Sequence, residues 1–118
     1  MNRLIIALSV SLLSGCVDTG RVGLHPETKT AWFDGHPYQV ASCLTEVAQN
    51  KQSYLEQDDP LPDGTKRYNL EKDNETVAWI EIAKSSHHQT SATFYYDPKA
   101  PDISALVSAM IAACKTTR

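Results

Sequence analysis

The 118-residue chain is short of most of the features that announce an activity. It has no apolar run long enough to cross a bilayer as a helix. The longest, Leu4 to Leu13, is about half of the roughly twenty residues a span needs. It has no basic cluster beyond the pair Lys66-Arg67, and its formal charge is −3. That pair reads as a solvated strand start, and nucleic acid is excluded as an intended partner. Glycine is scarce, with five residues, and none falls in a Gly-x-Gly-x-x-Gly or phosphate-loop pattern. No Gly-x-Ser-x-Gly and no credible Ser/His/Asp order is present, which removes the familiar serine hydrolase layout. Cysteine occurs three times and never as Cys-x-x-Cys. A redox-active or metal-binding pair therefore has no support from spacing.

The histidines do not form a ligand set. His87-His88 lies in a hairpin-sized polar gap, where neighbouring side chains diverge, and nothing in sequence places His25 or His36 near it. The acids Glu56, Asp58, Asp59 and Asp63 crowd one loop. Pro60 and Pro62 stand where a calcium loop would need other residues, so a solvated acidic loop is expected. The sequence thus predicts no catalytic residues, no metal site, no cofactor and a protein that is not an enzyme.

What the chain has is concentrated at its start. Met1-Asn2-Arg3 is short and basic, Leu4 to Leu13 is apolar apart from Ser9 and Ser11, and Leu13-Ser14-Gly15-Cys16 closes the segment. This is the layout of a secretory signal peptide. Its end resembles the lipobox of bacterial lipoproteins. The resemblance implies cleavage before Cys16 and a diacylated or triacylated Cys16 as the new N-terminus, which is a stable membrane anchor. Val17 follows that cysteine and Asp18 comes one later. By resemblance this order favours an outer-membrane anchor facing the periplasm, with an inner-membrane anchor as the alternative. Without residues 1–15, ten basic and fourteen acidic side chains remain, a formal charge of −4.

Acylation of Cys16 leaves Cys43 and Cys114. An even remainder in an oxidising compartment reads as one disulfide. Val40, Leu44 and Val47 share a helical face with Cys43. Ile103, Leu106, Val107, Met110 and Ile111 repeat at three-and-four spacing with Cys114. Both sulfurs are therefore expected on the buried faces of two helices.

The remaining pattern predicts one α+β domain over residues 29–118, held by a flexible tether over 16–28 after the signal at 1–15. Pro37 to Asn50 should be the first helix, with Asp34 or His36 as its cap. Gln57 to Thr65 should be loop. Alternation predicts strands at Lys66–Glu71, Glu75–Ala83 and Gln89–Tyr96, and a last helix to about Lys115. The expected order is α-β-β-β-α, a three-stranded antiparallel meander with two helices on one face. Lys29 to Phe33 could add a short extended piece, with Trp32 or Phe33 packing on the domain. Ala78, Ile80, Ile82, Phe94 and Tyr96 alternate onto one sheet face, while Val77, Trp79, Glu81 and Tyr95 fall on the other. Trp79 and Tyr95 mark either a partner surface or a face covered by the segment bearing Trp32.

Beyond the signal, the chain resembles small bacterial lipoproteins that carry one disulfide-stapled α/β domain. The resemblance implies a non-enzymatic, membrane-anchored protein that binds another periplasmic or outer-membrane protein. Candidate roles are assembly accessory, inhibitor of an envelope enzyme, or immunity and exclusion factor. A module for a small ligand or ion, using the open face or the acidic loop, is the alternative.

Overall fold

The computed structural model describes residues 26–115; Cys16 and the signal segment lie outside them. The elements are β1 (Glu27–Asp34), α1 (Pro37–Asn50), β2 (Tyr54–Gln57), β3 (Lys66–Lys72), β4 (Glu75–Ser86), β5 (Gln89–Tyr96) and α2 (Pro101–Lys115). The strands form a single antiparallel sheet in the order β1-β5-β4-β3-β2.

The expected α-β-β-β-α order with three strands is therefore corrected to β-α-β-β-β-β-α with five. Both additions are edge strands. β1 begins at Glu27, so Glu27 and Thr28 are strand residues rather than tether. β2 takes Gln57 from the expected loop. Neither edge carries a long alternating signal. β1 buries only Ala31 and Phe33, and β2 fully buries none of its residues. Each forms because a neighbouring strand offers unpaired peptide groups, a tertiary cause with little trace in local composition.

α1 carries the chain from one edge of the sheet to the other. Five strands are roughly 19 Å across at about 4.8 Å spacing, and a 14-residue helix is about 21 Å long. Its ends are set locally. Gly35 has φ +113 and turns the chain out of β1. The His36 N–H donates to Gln39 Oε1 at 2.8 Å, and Pro37 occupies the first turn, where its missing N–H costs nothing. At the other end the Gln52 N–H donates to the Gln49 carbonyl and the Ser53 N–H to the Ala48 carbonyl. With Gln52 left-handed at φ 61, this is a Schellman stop made without glycine.

The core lies between the helices and one sheet face. Ile80, Ile82, Phe94, Leu106, Val107, Met110 and Ile111, all expected there, are buried. Leu44, Ala48, Leu70, Ala78, Ala92 and Ile103 join them. Cys43 of α1 and Cys114 of α2 form a disulfide with a Cα–Cα distance of 5.8 Å. Cys114 is buried, while Cys43 is only half-buried at the rim of the core.

Val77 corrects the alternation. It was expected beside Trp79, yet it is fully buried. Leu70 pairs with Ala78 while Glu71 pairs with Thr76, so Val77 is the extra residue of a β-bulge. The bulge re-aims its side chain into the core. Next to it, Asp73 and Asn74 form a two-residue turn with φ 53 and 64. Two positive φ values are what a type I′ hairpin requires, and short Asp and Asn side chains tolerate them.

Candidate functional site

The helix-free face gathers the two aromatics marked in the sequence and adds charged partners to them. The β4–β5 register sets Trp79 opposite Tyr95, and β3–β4 sets Arg67 opposite Glu81 and Asn69 opposite Trp79. Trp79 and Tyr95 meet with ring centroids 6.5 Å apart and planes tilted by 52°. That is within the favourable range for an offset or edge-on aromatic pair. The Arg67 guanidinium lies over the Trp79 ring, 5.0 Å from its centroid, in cation–π geometry. The Tyr95 hydroxyl donates to Glu81 Oε1 at 3.1 Å. Thr30 and Thr93 share a hydroxyl hydrogen bond of 3.2 Å one row further on.

The cluster is half-buried, not covered. Trp79, Tyr95, Glu81 and Arg67 all keep part of their surface in solvent. Arg67 Nε is buried without a hydrogen-bond partner. Trp32 does not shield the pair. It lies opposite Ser91, well down β5 from Tyr95, and is 52% exposed on the same face. Phe33, the other residue expected to pack on the domain, does so and is buried in the core.

Burial, and then the Glu81 carboxylate that accepts its proton, hold the Tyr95 phenol above its ordinary pKa, although Arg67 pulls the other way. Burial alone raises Tyr68. The protonated phenols are favoured in the folded state. Their contribution to stability is complete below the unfolded value of about 10 and is lost as pH rises through the higher folded values. An ultraviolet phenolate titration should therefore show a late-titrating population. Glu81→Gln should bring part of it back toward the ordinary value, and an unchanged curve would contradict the Tyr95–Glu81 bond.

The acidic loop uses its carboxylates on its own backbone. Asp58 Oδ1 accepts the Asp59 N–H at 2.8 Å, and Asp63 Oδ1 accepts the Thr65 N–H at 3.0 Å. The latter bond is the main reason the Asp63 pKa is lowered. Among the described residues, no group of three or more His, Cys, Asp or Glu side chains gathers around a point that could hold a metal ion. His87 and His88 form the β4–β5 turn, their rings edge to face at 4.8 Å. No helix among the described residues is long and apolar enough to cross a membrane.

One cavity stands apart from the sheet face. A half-open groove of about 750 Å³ follows α1 and reaches the disulfide; Asp34, Tyr38, Gln39, Glu46, Val47 and Cys114 are among its lining residues. No local pattern in the sequence signals it, because it arises where α1 meets the end of α2. No family model, curated protein or solved structure matches the chain. Its function is therefore read from this geometry and from the N-terminal segment.

Proposed function

We propose that the chain is a small, non-enzymatic envelope lipoprotein that binds another envelope protein through the open face of its sheet. Lipid on Cys16 holds it to the membrane. The order Leu13-Ser14-Gly15-Cys16-Val17 supports outer-membrane sorting toward the periplasm. The observation that carries the binding role is the Arg67–Trp79–Tyr95–Glu81 cluster on a helix-free face. Trp, Tyr and Arg are the side chains that most often dominate interface energies, and the two aromatics bury much area with few rotors to freeze. Here they already hold one another in place, which lowers the ordering cost of association.

Two measurements check the proposal. Mass spectrometry of membrane-extracted protein should find an acylated N-terminal Cys16, and Cys16→Ser should release the protein from the membrane. Retention unchanged by Cys16→Ser would reject the anchor. In crosslinked envelopes, a partner captured by the wild type should be lost with Trp79→Ala and kept with Tyr38→Ala, since Tyr38 is 72% exposed on α1. A folded Trp79→Ala protein that captures the same partner at full strength would reject the face.

A small-ligand module is the second reading. The groove along α1 favours it, because about 750 Å³ falls within the usual size of small-molecule sites.

A further inference from the structure

The two edges of the sheet are built differently. β2 is four residues long, lies against α1, and is soon followed by Pro60 and Pro62. Short strands and nearby prolines blunt an edge against further pairing. β1 is eight residues long, contains no proline, and pairs with β5 along its whole length without a bulge. No strand lies on its other side among the described residues.

One hydrogen bond fixes which peptide groups of β1 face outward. The Gly35 N–H donates to the His88 carbonyl at 2.7 Å, one step beyond the Asp34–Gln89 pair. In an antiparallel ladder, residues bonded to the neighbour alternate with residues whose N–H and C=O point away. Glu27, Lys29, Ala31 and Phe33 therefore turn to β5. Thr28, Thr30, Trp32 and Asp34 turn their peptide groups to the free edge. Their side chains lie on the open face, because Ala31 and Phe33 occupy the core side.

We propose that β1 is a dimerisation edge, pairing antiparallel with β1 of a second copy so that one sheet runs through both chains. The strand is complementary to itself. A two-fold axis at Ala31 sets Thr28 against the partner's Asp34, Thr30 against the partner's Trp32 and Lys29 against the partner's Phe33. Every outward-facing residue then meets an outward-facing one, giving roughly eight inter-chain hydrogen bonds, and no like charges oppose each other. The match ends where the strand does. Pro26 lacks an N–H at the next outward position, and Gly35 leaves the strand at φ +113. An interface that uses the same patch on both chains closes at two copies, and the blunted β2 edge offers no route to a longer assembly. Pairing also joins the two open faces, with each exposed Trp32 beside the other copy's Thr30.

Analytical ultracentrifugation of the full chain, with detergent micelles in molar excess, tests this. The wild type should pass from monomer to dimer as its concentration rises into the tens of micromolar. Thr30→Pro removes an outward N–H and the exposed Thr30–Thr93 hydroxyl bond but leaves the β1–β5 backbone bonds intact, so it should stay monomeric and folded. Thr30→Lys/Trp32→Lys, which leaves the backbone alone, should weaken dimerisation roughly tenfold by setting like charges opposite each other. Thr30→Lys/Trp32→Glu should restore it, because each lysine then faces the partner's glutamate. A wild type that stays monomeric throughout, or a dimer indifferent to both charge patterns, would overturn the proposal.

Discussion

Cys43→Ser/Cys114→Ser should lower folding stability by about 4 kcal/mol, the chain-entropy value for a loop closed across 71 positions. The bridge acts chiefly on the unfolded chain, which loses the freedom to separate two residues near opposite ends of the domain. In the folded state it ties α1 to α2, the two helices that cover the core. Net stabilities of small domains are roughly 5–15 kcal/mol, so this single bond is a large share of the whole. In thermal unfolding the loss should appear as a melting point lower by roughly 15–30 °C. Thiol labelling of native, air-purified protein should find neither Cys43 nor Cys114 free. A double variant that melts within a few degrees of the wild type would show that the helices hold together without the bridge.

Phe94→Ala should be the most damaging single truncation, at about 3–5 kcal/mol. Phe94 is fully buried on β5, opposite Ile80 on one side and Lys29 on the other. Sheet pairing on both flanks stops the backbone from collapsing into the space left behind. Leu106, on α2, keeps 7% of its surface exposed. Leu106→Ala should cost less, toward the lower end of the roughly 2–5 kcal/mol range for buried leucines, because a helix can shift toward the gap. Urea denaturation of the two variants checks the order. A Phe94→Ala loss below that of Leu106→Ala would show that the sheet yields more readily than the helices.

The sequence placed most of the interior because local rules and tertiary demand agree there. Pro37 and the spacing of Val40, Leu44 and Val47 define α1, and Ile103 through Cys114 define α2. Ile80, Ile82 and Phe94 alternate cleanly because their strands lie inside the sheet with one face buried. The same alternation put Trp79 and Tyr95 on the opposite face. It could not say what stands next to them. Arg67 reaches Trp79, and Glu81 reaches Tyr95, through cross-strand and cross-row geometry. That geometry depends on the Asp73-Asn74 turn and on the bulge at Val77, where slipping one residue would exchange the faces.

The sequence by itself determined the two helices, the three inner strands, the pairing of Cys43 with Cys114 and the side of the sheet on which Trp79 and Tyr95 stand. The helices, the strands and the placement of the aromatics follow from periodicity and caps, which act over a few residues, while the cysteine pair follows from apolar helical faces 71 positions apart. Only the tertiary structure decided the edge strand β2, the extension of β1 beyond the piece expected over Lys29 to Phe33, the burial of Val77, the groove along α1 and the Arg67–Trp79 contact. β1 and β2 have too little buried surface to be strands alone and become strands by pairing with an existing neighbour. Val77 and Arg67 are placed by register, which turns set between strands and no single strand encodes.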